Sequence, residues 1–215
     1  MKTYQLEELS VPLALPSLVC LGMFDGVHLG HLRLIEEARQ TALQKNLQAI
    51  VHTYDILPAR VISPERAVLE LTPFHEKIQL LEKTGIDAVA VSHFNEAFQH
   101  LSGEAFFDQI LVKKLRARYI VAGFNHRFGL KADTDINRLA FFCQKEGIGL
   151  SVIPPVRTKA GALISSSAIR TAIQNGDLSL ASEMLGRPPG DGMLLRAQKK
   201  SDSRRATQSM EVNPK

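Results

Sequence analysis

Gly22-Met23-Phe24-Asp25-Gly26-Val27-His28-Leu29-Gly30-His31 joins a run that reads as a buried strand to one that reads as a helix. On its N-terminal side, Leu18-Val19-Cys20-Leu21 is continuously apolar and ends in glycine, the pattern of a strand covered on both faces. On its C-terminal side, Leu32, Ile35, Ala38, Ala42 and Leu43 recur at spacings of three and four, which predicts a helix from about Gly30 to Lys45. Glycines at such a junction allow a tight turn and a close approach of backbone to ligand. The helix start adds free N–H groups and a positive partial charge, together an anion site. His28 and His31 lie three residues apart and face the same way on the opening turn. Two imidazoles there can donate hydrogen bonds to a phosphoryl group as charge builds on it. The bland alternative is a pair of hydrogen-bonded structural histidines. The glycine spacing fits neither a P-loop nor a dinucleotide fingerprint.

Outward from this segment, short β-type runs alternate with amphipathic stretches. Further strands are predicted at 48–54, 87–91, 119–123 and 149–153. Helices are expected over 73–83 (capped by the Thr72 hydroxyl), from Ser102 onward, and at 136–145, 165–175 and 178–185. Residues 55–72 read as a loop or lid. The sum is an α/β fold, a doubly wound parallel five-stranded sheet covered by helices. In such sheets ligands sit beyond the carboxyl ends of the strands, where strand order reverses. The loops after Gly22 and Gly123 are therefore the first places to look.

Composition narrows the class. The chain has 215 residues, 45% hydrophobic and 22% charged, within the range of globular domains. No apolar run approaches the roughly 20 residues a membrane-spanning helix needs, so no membrane association is expected. The N-terminus is polar and acidic where a signal peptide would be basic and then apolar. The two cysteines, Cys20 and Cys143, sit in apolar stretches, as buried free thiols of a cytoplasmic protein would. No four-ligand zinc spacing occurs, and no protein-held metal is expected. Seven Lys/Arg face three acidic residues in 187–215, so the formal net charge of +4 resides in that segment. The body is neutral, and no specific nucleic-acid partner is expected. The organisation expected is one domain over 1–188 and a basic, mobile tail over 189–215.

Two further constellations stand out. Ile164-Ser165-Ser166-Ser167-Ala168-Ile169-Arg170 places hydroxyls at a helix start, where they cap the helix, bind phosphate, or both. Arg170, about one turn inside, is either a surface arginine or a fork for the same anion. Gly123-Phe124-Asn125-His126-Arg127-Phe128-Gly129 is either a structural turn or a loop in which Asn125 meets a base or ribose and Arg127 a phosphate.

On these residues the chain resembles the FAD synthetase (FMN adenylyltransferase) module of bacterial bifunctional riboflavin kinase/FAD synthetases. That module belongs to the wider histidine-x-glycine-histidine nucleotidyltransferases. The resemblance runs over about 15–188: Gly22 to His31, Leu71 to Ile78, Leu101 to Phe106, Gly123 to Gly129, Ile164 to Arg170, and Leu185-Gly186-Arg187-Pro188. It implies a Rossmann-like nucleotidyltransferase fold and transfer of the adenylyl group of ATP, with Mg2+, to FMN, giving FAD and pyrophosphate. By the same resemblance His28, His31 and Arg170 would be catalytic. Gly22, Met23, Phe24, Asp25, Gly26, Gly30, Asn125, Ser165, Ser166 and Ser167 would bind ATP, and Tyr54, Asp55 and Arg127 would lie on the flavin side. The sequence departs from the family at Ile56-Leu57, where a proline and a histidine are common, and at Ala132 and Thr134, where an arginine and a glycine are. Residues 189–215 do not match a riboflavin kinase, so no such activity is expected of this chain. A separate riboflavin kinase is left open as a partner. Other open readings are a different phosphorylated acceptor, or nucleotide or flavin binding without turnover.

Overall fold

Six strands form a single sheet in the computed structural model, which describes residues 1–66 and 68–198. They are β1 (Lys2–Gln5), β2 (Ser17–Leu21), β3 (Gln48–Tyr54), β4 (Ala88–Ser92), β5 (Ala117–Gly123) and β6 (Gly149–Ile153). Their order is β1-β4-β3-β2-β5-β6, and every neighbouring pair is parallel. All five expected strands are present, and the expected count of five is corrected to six by β1. Lys2–Gln5 is short and half exposed, and it pairs only with β4 at the sheet edge, so no apolar pattern marked it. From β2 the chain moves one way through β3 to β4, and β5 and β6 fill the other side. Strand order thus reverses between β2 and β5.

The helices are α1 (Leu29–Lys45), α2 (Pro58–Ile62), α3 (Phe74–Glu82), α4 (Glu96–Gln99), α5 (Gly103–Ala105), α6 (Ile136–Glu146), α7 (Ser166–Gln174) and α8 (Leu178–Leu185). α5 runs straight into a π-helical stretch, Phe106–Lys114. The alternation of side chains along each strand sends its apolar residues to opposite faces. Val19, Leu21, Ile50, Ile120 and Ala122 meet Phe106, Leu111, Leu115, Leu139 and Phe142 on one face. Leu18, Cys20, Val51, Val89 and Val121 meet Ile35, Ala38 and Leu81 on the other. β2 is buried along its whole length, as a central parallel strand must be. Cys20 and Cys143 are buried free thiols.

Three local expectations are revised. Residues 55–72 contain α2 and a 3-10 turn at Pro64–Arg66 before an irregular strap over 68–72 that bends at Leu71 and Thr72. Thr72 does not cap α3; its hydroxyl oxygen accepts from the Gly26 N–H at 2.9 Å, and Pro73 stands at the cap position. Residues 191–198, inside the segment expected to be a tail, are helical. Met193 is 4% exposed in a small cluster with Leu71, Ile169, Ile173 and Met184, and Leu194 and Ala197 pack beside it. The remainder of the expected tail, 199–215, lies outside the described residues. No described helix is long and apolar enough to cross a membrane.

Candidate active site

The segment between β2 and α1 turns by placing Phe24, Gly26 and Val27 at φ +51°, +90° and +39°. Two of these are side-chain-bearing residues in the left-handed region, a conformation that needs support from elsewhere. The support is Asp25. Its buried carboxylate accepts from Leu71 N–H (3.3 Å) and Thr72 N–H (2.9 Å) and pairs with Arg170. Arg187 donates to the Gly26 and Val27 carbonyls at 2.6 and 2.9 Å. The loop is thereby fixed before any ligand arrives.

His28 then caps α1 with extended backbone, its Nδ1 accepting from His31 N–H at 3.3 Å. An accepting Nδ1 assigns the proton of the neutral ring to Nε2. The two imidazoles stack, centroids 3.6 Å apart and planes 15° from parallel. Gly30 is what permits this arrangement: a Cβ there would stand 3.0 Å from His28 Cε1 and 3.1 Å from Nδ1. Burial, followed by the nearby Arg187 charge, lowers the His28 pKa to about 4. Burial, His28 and Lys77 hold His31 well below its ordinary range. Both rings are neutral at pH 7. His31 Nδ1 is buried and has no hydrogen-bond partner in the protein, so an imidazole at the cleft keeps an unspent polar atom.

A second helix start faces the same space. Ser165 caps α7, its hydroxyl oxygen accepting from Ala168 N–H at 3.1 Å. Ser166 donates its hydroxyl to the Asp25 carbonyl at 2.8 Å, tying α7 to the first loop. Together Gly22, Met23, His28, Gly30, His31 and the Ser165–Ser167 turn line a cleft of about 400 Å³. It is closed on the β5 side by Phe124, Asn125, His126 and Arg127. The cleft lies at the β2/β5 reversal, the position doubly wound sheets favour for ligands.

Six expected site residues do not line this cleft. Phe24 is fully buried beneath the loop, and a Cβ at Gly22 would stand 2.8 Å from its ring. Asp25 and Gly26 serve the loop's internal bonding. Arg170, expected to be catalytic by the resemblance, is engaged elsewhere: Nε donates to the Leu69 carbonyl at 2.6 Å and Nη2 to Asp25. Its long side chain has found a buried carboxylate, a stronger partner than solvent. Tyr54 and Asp55 also lie outside the cleft. Tyr54 sits edge-on to His52 and Phe94, with Phe98 beside it, and burial raises its hydroxyl pKa. Burial would raise Asp55 as well. Hydrogen bonds from His93 (2.6 Å), Phe94 N–H and Ile56 N–H outweigh that, and its pKa is lowered.

Several residues in or behind the cleft were assigned no role by the sequence. Phe124 is 43% exposed and lines the cleft beside Asn125. Leu34 and the Ile153–Val156 segment supply apolar wall. Lys77 is buried behind the loop, its ammonium donating to the Met23 carbonyl (3.2 Å), Thr53 Oγ1 (3.2 Å) and the Tyr54 carbonyl (2.8 Å). Burial lowers its pKa to about 8, the nearby Asp25 and Glu70 acting against it. Only the fold shows that Lys77 joins the first loop to the end of β3.

A parallel sheet with two helix starts and a His-x-Gly-His turn at its reversal point defines a Rossmann-like α/β fold of the nucleotidyltransferase type. A solved structure from Francisella tularensis, a pantoate-beta-alanine ligase complexed with beta-gamma ATP and beta-alanine, shares this fold at TM-score 0.54 and 14% identity, covering 82% of this chain and 77% of that one. The chain belongs to the FAD synthetase family, which matches residues 13–168. A bifunctional riboflavin kinase/FMN adenylyltransferase from Listeria monocytogenes is 40% identical over 171 residues, covering 79% of this chain and 54% of the relative. A solved Streptococcus pneumoniae chain titled a macrolide-efflux protein superposes at TM-score 0.76 with 28% identity, covering 88% of this chain and 61% of that one. The chain thus spans about half the length of the curated relatives it matches.

Proposed function

We propose that the chain transfers the adenylyl group of ATP to FMN, giving FAD and pyrophosphate. An oxygen of the FMN phosphate bonds to the α-phosphorus, and the bond from that phosphorus to the bridging oxygen breaks as pyrophosphate departs with the electron pair. The observation that carries the proposal is the stacked, neutral His28/His31 pair at the start of α1, opposite the start of α7. His28 holds a proton on Nε2, so it donates to an α-phosphate oxygen without giving the proton up. The α7 start, with Ser165 to Ser167, suits the outgoing pyrophosphate as a helix N-terminus suits any phosphate. The exposed Phe124 side chain and Asn125 suit the adenosine end, and Arg127 a phosphate near the acceptor.

Mg2+ is assigned to the nucleotide, as part of the substrate complex. Among the described residues no group of three or more His, Cys, Asp or Glu is gathered to hold a metal. The carboxylate in the first loop, Asp25, already accepts three hydrogen bonds. Bound there, it would supply charge neutralisation at the phosphates, and the protein's part is to position them. A cytoplasmic setting for the two buried thiols belongs to the same proposal. The test is incubation of the purified chain with ATP, Mg2+ and FMN, following FAD fluorescence and pyrophosphate. FAD formation with matched pyrophosphate is expected. Pyrophosphate release only with another phosphorylated acceptor, or binding without turnover, would refute the assignment.

A further inference from the structure

The strap over 68–72 presents three successive carbonyls, and two arginines take all of them. Arg170 Nε donates to Leu69 O at 2.6 Å, while Arg196 Nε and Nη2 donate to Glu70 O at 3.2 Å and Leu71 O at 2.9 Å. The strap's other edge faces the phosphate loop: Leu71 and Thr72 N–H groups donate to Asp25, and Thr72 Oγ1 accepts from Gly26 N–H. The strap is therefore held between the phosphate loop and the 191–198 helix. That helix lies beyond the family match, which ends at 168.

The far side of the Arg196 fork faces α3, where Nη1 stands 3.8 Å from Glu76, and Gly192, one turn earlier, leaves room for it, since a Cβ there would stand 3.1 Å from Nη1. Met193, buried beside Leu71, docks the same helix on the strap's apolar side. A planar fork reaching two adjacent carbonyls fixes the strap's path where a point charge would leave it free to pivot. Any pivot of Leu71 and Thr72 moves Asp25, whose own carbonyl is bonded to Ser166 at the start of α7.

We propose that Arg196 is a positioning residue for nucleotide binding: through the 69–72 strap it sets the separation of the α1 and α7 starts that receive the triphosphate. The proposal rests on the reading of the cleft as an ATP site. Its test uses the full chain with Arg196→Gln and Arg196→Lys. MgATP affinity is measured by calorimetry, thermal stability by calorimetric melting, and amide hydrogen exchange at Gly26, Leu71 and Thr72. Arg196→Gln is expected to weaken MgATP binding by about threefold to thirtyfold. Its exchange at the three amides rises and its Tm falls by no more than about 4 °C. Arg196→Lys, which keeps one carbonyl contact, recovers part of the affinity. Wild-type affinity in Arg196→Gln overturns the proposal, and so does a loss that Arg196→Lys does not relieve. Should the wild-type chain bind no MgATP, the reading of the cleft fails. The brace is then still decided by exchange, since unchanged protection of the three amides in Arg196→Gln refutes it.

Discussion

Replacing Gly30 by alanine should separate stability from activity in this protein. Gly30 is the second residue of α1, where alanine is the better helix former by up to about 1 kcal/mol. The added methyl, however, would meet His28 Cε1 at 3.0 Å and Nδ1 at 3.1 Å, distances at which one group must yield by a few tenths of an ångström. The backbone of α1 is fixed by its own hydrogen bonds, so the His28 ring yields. Moving that ring disturbs the stack on His31 and stretches the 3.3 Å bond from His31 N–H. Loss of that cap costs about 1 kcal/mol, close to what the alanine contributes, so net stability should change little. Catalysis has no such compensation. A displacement of about 1 Å at a reacting group costs about a hundredfold, so a shift of some tenths should lower kcat about tenfold. The assay is initial-rate formation of FAD beside calorimetric melting of the same preparation. Expected are a kcat reduced about tenfold and a Tm within about 4 °C of wild type. A Gly30→Ala protein with wild-type kcat would refute the reasoning, as would one whose activity loss follows a large fall in Tm.

His28→Asn should keep the cap while removing the imidazole, so its Tm stays near wild type and its kcat falls about a hundredfold or more. His28→Ala should lose both, adding about 1 kcal/mol of destabilisation in urea unfolding. Lys77→Met should leave the Tyr54 carbonyl without the ammonium and the Met23 carbonyl with the Thr53 hydroxyl alone, lowering unfolding free energy by about 1–3 kcal/mol in denaturant titration. Acid should destabilise the fold. Burial lowers the pKa values of His28 and His126 to about 4 and of His52 to about 3, with His31 also depressed, against an unfolded value near 6.5. Below 6.5 the unfolded chain binds protons the folded chain refuses, so stability is complete above that pH and falls as pH drops toward 4. Each group contributes up to about 1.4 kcal/mol per pH unit. Melting temperatures flat between pH 7 and 5 would contradict this.

The strands were legible wherever burial on both faces left an uninterrupted apolar run, as in Leu18–Leu21. Lys2–Gln5 has no such run: it becomes a strand because β4 offers an edge, which is a fact about β4. The chemistry of His28 and His31 was legible because both residues and the glycine between them lie within one turn of helix. Arg170 was placed at phosphate from its neighbourhood to Ser165, yet its guanidinium is held by Asp25, 145 residues earlier. Next to Pro73 and α3, Thr72 has the local pattern of a cap, yet its hydroxyl serves Gly26. The 191–198 helix was hidden because its apolar residues, Met193, Leu194 and Ala197, are few and acquire a face only against Leu71 and α7.

In the Gly22–His31 turn, sequence alone determined the chemistry: glycines for close approach, a helix start for an anion, and two imidazoles on one side. Those are interactions between near neighbours, and short spacing fixes them. The tertiary structure decided which polar groups remain for a ligand. Asp25, Arg170, Lys77 and Arg196 are spent on bonds to distant backbone, because a buried charge takes the partner that the fold brings to it. His31 Nδ1 is left unpartnered at the cleft.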